Sequence, residues 1–441
     1  MAAPEQTGTE DGAGKGAVLP QHRRALLAGS VGNFIEWYEF GVYGYFATVI
    51  AAQFFTPEGG SGVEGLVKTY AAFALAFFFR PVGAALFGRF GDRYGRRPTL
   101  ILVVGLMTAA TTLIGLLPTY ATAGAAAPWL LTLLRVVQGL SAGGEFGGAV
   151  SLMTEFAPPG RRGLYGAWQS LTVALGLLGG AGVAAVLAAV VSEAALESWA
   201  WRLPFLLTLP LGLAALWLRL RLEETPSYTR RQEVPEAGPK PGGRVLAAAI
   251  VLGAGRLMGW SAAGYTFLVV LPSYLQSTLD ASFQQALLAT VFANAGFAAA
   301  ILPAGLLSDR FGRRAVMLAG AGLVVVTAFP LLRLVQDPGA STAARGAALA
   351  VAGAVVGLMA GPGPAMLAEM FPTRVRCTGL GLAYSLANAV FSGCAGLVVT
   401  ELINRTGSAD VPAYYAAAAC AVSVPALLTL RRDDHRHPLR E

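Results

Sequence analysis

Histidine and cysteine are nearly missing from this chain, and charge of either sign is scarce. The three histidines, His22, His435 and His437, lie near the ends. That placement removes most imidazole-based catalysis and metal binding. Cys377, Cys394 and Cys420 sit in or beside apolar runs without paired spacing, so inert thiols are expected, with no disulfide and no metal. Charged residues make up 13% of the chain, against about 25% in soluble domains. A water-soluble chain of 441 residues would form two or three domains with polar surfaces. Too little charge is present to cover them. No Walker A sequence occurs, so direct ATP drive is not expected. Residues 1–22 lack the apolar core of a signal peptide and read as a disordered cytoplasmic tail.

What the chain has instead is apolar length. Hydrophobic residues reach 55%, and many of the 55 glycines lie inside apolar runs, where they permit close helix packing in lipid. Stretches of ~20 apolar residues can span a bilayer. Twelve candidates appear, near 24–50, 67–90, 98–118, 129–156, 163–191, 200–221, 245–275, 284–307, 315–334, 346–369, 378–403 and 412–430. Arginines and lysines fall in alternate loops, which places both termini in the cytoplasm. The net charge of +7 therefore reports topology, and no nucleic-acid partner is expected. Segment 222–244 is polar and rich in proline. It reads as a cytoplasmic linker between a first bundle, 23–221, and a second, 245–432, with a short tail at 433–441. The expected fold is an all-α membrane protein of two six-helix bundles.

The halves carry an internal repeat. Gly88 to Arg97 (GRFGDRYGRR) matches Gly305 to Arg314 (GLLSDRFGRR), 217 positions apart. Glu155 followed by Arg161 and Arg162 matches Glu369 followed by Arg374 and Arg376 at nearly the same offset. Two motifs at one spacing mark a duplication. The aspartates, Asp92 and Asp309, can accept hydrogen bonds from a helix N-terminus or from arginines. Glu155 and Glu369 can pair with neighbouring arginines. A cytoplasmic latch is expected from these residues together with Arg93, Arg96, Arg97, Arg310, Arg313 and Arg314. Topology alone would need arginine but no fixed aspartate or glycine.

The duplicated G-x-x-x-D-R-x-G-R-R loop resembles the major facilitator superfamily. Further segments are similar to its metabolite:proton symporter family, which includes proline/betaine, α-ketoglutarate, citrate and shikimate carriers. They are Gly32 to Phe40 (GNFIEWYEF), Phe79 to Gly83 (FRPVG), Arg135 to Gly139 with Gly143 to Gly148, and Glu224-Thr225-Pro226. The resemblance covers nearly the whole chain. It implies alternating access around a site near the membrane midplane, as the superfamily itself exemplifies. Glu39 stands where the family more often has Asp. Nine residues follow Arg432, so sensing through a long C-terminal coiled coil is not expected. The sugar-porter branch's signature after the last helix is also lacking.

Six ionisable residues fall well inside spans: Glu36, Glu39, Arg80, Arg135, Glu145 and Arg256. Such charges are costly in lipid unless paired or in a wet cavity, and they mark function. Glu36 and Glu39 share a helix face near midplane. The expected site is a central cavity in which Arg80 or Arg256 binds a substrate carboxylate through the guanidinium fork. Glu39, Glu36 or Glu145 would carry the coupling proton. Arg135, nearer the outer end, fits a structural pair. Asn33, Tyr43, Gln138, Gln169, Tyr265, Asn294, Tyr384 and Asn388 are candidate substrate contacts, each of them also able to serve only as a helix–helix hydrogen bond.

Gly139-Leu-Ser141-Ala-Gly143 mimics a nucleophile elbow but lies within a helix and lacks a histidine. Gly253-Ala-Gly255 lacks the strand of a dinucleotide fold. An enzyme is not expected. The leading expectation is a monomeric plasma-membrane symporter for a small carboxylate-bearing metabolite, an organic acid or a zwitterionic osmolyte, with the proton as coupling ion and no cofactor. An exporter or exchanger of the same fold, or a non-transporting membrane sensor, are the alternatives.

Overall fold

The computed structural model describes residues 15–431, except 57–59, 95, 156, 221–241 and 373–374. The described residues form helices and turns with no strand. The principal helices are α1 (Lys15–Tyr45), α2 (Gly62–Tyr94), α3 (Arg96–Leu116), α4 (Ala126–Ala142), α5 (Phe146–Glu155), α6 (Arg162–Val190) and α7 (Thr208–Leu220). After residues 221–241 follow α8 (Gly243–Tyr265), α9 (Leu271–Leu279), α10 (Phe283–Phe311), α11 (Arg313–Gln336), α12 (Thr342–Ala360), α13 (Gly363–Met370), α14 (Arg376–Ala387), α15 (Ala395–Thr406) and α16 (Val411–Leu428).

Among the described residues, ten helical segments are long and apolar enough to cross a membrane. The expected spans 24–50 and 129–156 lie on helices outside that set. Asn33, Glu36, Glu39 and several glycines dilute the hydropathy of α1. A break at residues 143–145 cuts the other stretch into 17 residues of α4 and 10 of α5. Helix α1 begins at Lys15, so residues 15–22 of the expected tail are helical. Ala17, Val18, Leu19 and Gln21 are compatible with extending a helix that the apolar stretch already nucleates.

The duplication is visible in packing. In the first half, a side chain on Gly139 would strike the Ala76 carbonyl, and one on Gly143 the Arg80 carbonyl. In the second half, Gly353 lies against the Ala293 carbonyl and Gly357 against the Phe297 carbonyl. The same four-residue step recurs on each partner, so α2–α4 and α10–α12 are equivalent crossings. Small residues let these backbones touch. The equivalence also pairs Arg80 with Phe297: a cation in one half stands where the other has a phenyl ring.

The halves meet along α6–α10, with α13 also against α6 and with α14 and α15 against α2. One continuous apolar cluster runs through both. Helices of the second half are interrupted by π-turns at Thr266–Val270 and Asn388–Ser392. Pro272 has no N–H to offer the carbonyl of Leu268. Asn294 Nδ2 supplies a donor to that carbonyl at 3.2 Å.

Candidate functional site

An enclosed cavity lies between the halves. Trp37 of α1 and Val173 and Leu177 of α6 form its first-half wall. Trp260, Ser261, Gly264 and Tyr265 of α8 face them, with Leu268, Val269, Phe297, Tyr384, Asn388 and Ser392. Both π-turns therefore contribute to the wall, which agrees with the tendency of such turns to occur at functional sites. None of the described lining residues is charged. The Tyr265 hydroxyl is buried without a hydrogen-bond partner among the described residues.

Both ends of the cavity are shut. Toward the 305–314 motif, the rings of Phe146 and Tyr384 stack across the halves with centroids 3.4 Å apart. Farther out, Asp309 accepts the backbone N–H groups of Gly163 and Leu164 at 2.7 and 2.9 Å. Arg313 joins Asp309 at 2.8 Å and Glu369 at 3.0 Å. Arg162 reaches Glu369 at 3.3 Å. The cluster ties the first turn of α6, a first-half helix, to three elements of the second half. At the opposite end, the hydroxyls of Tyr70 and Ser273 lie 2.6 Å apart, and Thr48 Oγ1 donates to Gln276 Oε1 at 3.0 Å.

Behind Trp37 lies a buried charge array. Arg80 donates to Glu36 at 3.1 Å. Its guanidinium carbon lies 4.4 Å from the ring centroids of both Phe40 and Phe77 and 5.4 Å from that of Trp37. Glu39 accepts from Thr111 at 2.9 Å, and Thr111 accepts from Gln138 at 2.6 Å. Gln138 in turn accepts from Arg135 at 2.7 Å. Glu145, in the break between α4 and α5, pairs with Arg219 of α7. Arg219 also donates to the Leu100 carbonyl at 3.0 Å.

Several expected site residues go elsewhere. Arg256 does not line the cavity. It donates to the Ala426 carbonyl and to Thr429 Oγ1 at the C-terminus of α16, where the helix dipole attracts a cation. Asn33 bonds Thr172 and the Gln169 carbonyl. Tyr43 donates to the Thr69 carbonyl and stacks on Phe73. Asn294 serves the backbone. Gln138 belongs to the Arg135 chain, and the Gln169 amide is buried without a partner among the described residues. Of the ten expected substrate contacts, Tyr265, Tyr384 and Asn388 line the cavity.

In the motif regions, Arg161 and Arg310 are exposed, and Arg314 bonds the Leu430 carbonyl. Arg376 is buried and donates to the Ala368 and Phe371 carbonyls. Arg374 and the side chains of Asp92, Arg93, Arg96, Arg97 and Glu155 lie outside the described residues. Sequence reasoning missed Trp37, Trp260 and Arg219 as site residues. Arg219 stands close to the end of its span, away from the midplane charges that stood out in the sequence. Trp260 is mid-span, and its i+4 and i+8 neighbours Gly264 and Leu268 line the cavity with it.

Helices of this length, a shut cavity between duplicated halves and ion pairs at one exit describe a multi-pass membrane carrier. A family model for sugar and other transporters matches residues 25–238, and one for the major facilitator superfamily matches 250–441. The proline/betaine transporter of Escherichia coli K12 is 33% identical over 430 residues, covering 95% of this chain and 85% of the relative. The alpha-ketoglutarate permease of the same strain is 36% identical over 384 residues, 86% and 87% of the two chains. The citrate-proton symporter of Klebsiella pneumoniae is 35% identical over 393 residues, 89% and 88%. The solved proton:xylose symporter XylE shares the fold, with a TM-score of 0.76 at 19% identity over 93% of this chain and 95% of that one. The chain belongs to the metabolite:proton symporter family of the major facilitator superfamily.

Proposed function

We propose that this protein is a proton-coupled symporter of a small, net-neutral zwitterion that bears a carboxylate and a substituted ammonium group. The observation that carries this reading is the cavity wall: aromatic rings from both halves, no charge on the surface, and one ion-paired arginine directly behind Trp37. A di- or tricarboxylate would meet no free cation there. A substituted ammonium would meet the faces of Trp37, Trp260, Tyr265 and Tyr384, and cation–π contacts of this kind are worth about 0.5–2 kcal/mol each. The carboxylate would turn to Arg80, with Tyr265 as a hydroxyl donor.

Coupling follows from the Arg80–Glu36 pair. With Glu36 ionised, Arg80 is already satisfied and has little hold on a substrate anion. A proton on Glu36 removes that competition and leaves Arg80 its full charge for the substrate. Proton and substrate thus favour each other, and linkage makes the effect mutual. Breaking the Asp309–Arg313–Glu369–Arg162 cluster opens one exit, and separating Tyr70 from Ser273 opens the other.

In this reading the chain spans the plasma membrane twelve times with both termini in the cytoplasm and the 222–244 linker inside. It works as a monomer, without cofactor, enzymatic activity or nucleic-acid partner. The names of two relatives, a proline/betaine transporter and a citrate-proton symporter, bracket the choice of substrate. Uptake into proteoliposomes under an imposed pH gradient decides it. Betaine and proline should accumulate while citrate and α-ketoglutarate should not. Accumulation of the polycarboxylates alone, or accumulation indifferent to the gradient, would overturn the reading.

A further inference from the structure

Apart from the substrate cavity, a second, smaller void lies wholly inside the first half, among α1, α3 and α4. Its lining includes Glu36, Glu145, Thr108, Ser141 and Gly32, and the rest of the wall is apolar, from Ile35, Val103, Val104, Met107 and Ala142. The hydroxyls of Thr108 and Ser141 are buried and have no hydrogen-bond partner among the described residues. Buried hydroxyls left unpaired are costly. A buried water needs two to four polar partners and a space of about one probe sphere. This void is of single-water size and offers two carboxylates and two free hydroxyls.

We propose that one water molecule, held by Ser141 and Thr108, joins Glu36 to Glu145 as a proton relay that bypasses the substrate cavity. The proposal rests on the symport reading above. In the transfer, the O–H bond of the Glu36 carboxylic acid breaks and its proton bonds to the water. One of the water's own protons passes to the Glu145 carboxylate. The water is regenerated, Glu36 ends ionised and Glu145 neutral, and no electrons change hands.

The flanking charges give the relay its ends. Arg80 stabilises Glu36 once the proton has left, through the 3.1 Å contact. Arg219 pairs with Glu145 at the accepting end. Glu39 stands one turn along α1 with Oε1 unpartnered among the described residues. The Arg219 end also contacts Leu100 near the start of α3, so the relay runs toward the 88–97 motif. Gly32 keeps the passage clear, because a side chain there would collide with Arg219 and with Glu145 Oε1.

The test uses the full-length protein in proteoliposomes and the double variant Ser141→Ala with Thr108→Val. Betaine exchange at equal pH on both sides should stay within about twofold of the parent, while gradient-driven accumulation and betaine-dependent proton influx slow at least tenfold. The hydroxyl-preserving pair Ser141→Thr with Thr108→Ser should recover most of the proton flux. Unchanged proton influx in the first pair overturns the relay. So does failure of the hydroxyl-preserving pair to recover when exchange is normal. A high-resolution map of the parent provides a readout independent of transport: density for one water touching Glu36, Glu145, Ser141 and Thr108 supports the relay, and a dry void overturns it. If accumulation by the parent ignores the pH gradient, the symport reading fails instead, while the map still reports on the water site.

Discussion

Asp309 closes over the N-terminus of α6 through the backbone N–H of Gly163, so the carboxylate of one half caps a helix of the other. A helix start carries partial positive charge and unpaired donors, and charge-assisted hydrogen bonds are the stronger kind. The contact can exist only while this end of the molecule is shut. Removing it should favour the state that is open there. For Asp309→Ala, the loss of two such bonds is worth about 1–3 kcal/mol, or about a 5- to 150-fold change in the population ratio. Spin labels at the exposed positions 161 and 310 should show a longer distance. An unchanged distance distribution would mean that the cap does not bias the equilibrium.

Gly163 and Gly305 face each other across the same seam. A side chain on Gly163 would meet Ser308, Arg313 and the Gly305 carbonyl, and one on Gly305 would meet Ala167 and the Gly163 carbonyl. Gly305→Leu should therefore hold this exit open and stop transport without lowering the amount of folded protein. Betaine flux near the parental level would rule out close approach at this seam as a step in the cycle.

The Arg80–Glu36 pair should reveal itself in stability. Truncating one member of a buried pair leaves the other charge uncompensated and costs about 3–5 kcal/mol. Arg80→Gln is expected to melt well below the parent in detergent. Arg80→Gln with Glu36→Gln should regain most of that loss, because neither charge is then stranded. Additive losses in the double variant would show that the two side chains do not depend on each other.

Glu39 makes a separate test of proton coupling. Glu39→Gln keeps an acceptor for the Thr111 hydroxyl but cannot ionise. If Glu39 belongs to the proton path, accumulation driven by a pH gradient disappears and exchange at equal pH survives. Accumulation at the parental rate would remove Glu39 from the path.

Trp260 offers a graded probe of the aromatic wall. Trp260→Phe retains a ring and Trp260→Ala does not. Loss of one cation–π contact, about 0.5–2 kcal/mol, should raise the half-saturating betaine concentration about 2- to 30-fold in the alanine variant and less in the phenylalanine variant. Equal effects of the two substitutions would argue that Trp260 acts by filling space alone.

What the sequence disclosed follows from how local each signal was. The 305–314 repeat pointed to Asp309 and Arg313 because their spacing within one short segment already brings them together. Polar residues in apolar runs pointed to Glu36, Glu39, Arg80 and Glu145 because any charge stands out against lipid-facing sequence. The cavity wall gave no such contrast, since Trp37, Trp260 and Phe297 look like ordinary apolar residues until both halves are assembled. Arg256 misled for a related reason. Its long side chain could reach several partners, and the Ala426 carbonyl and Thr429 hydroxyl that hold it belong to a helix end about 170 residues away. Asn294 was equally opaque: its partner, the Leu268 carbonyl, becomes available only because Pro272 on another helix lacks an N–H.

The paired crossings at Gly139 and Gly353 bear on where the molecule can deform. Main chain lies directly on main chain at these points, with no layer of side chains between to shear or change rotamer. Such crossings are stiff, and each half should behave as an incompressible block. Strain from substrate binding then has no place to dissipate within a half. It must appear at the boundary, where polar contacts at Asp309 and at Tyr70 can be exchanged for water. A protein built this way should show low compliance inside each bundle and high compliance along a single plane.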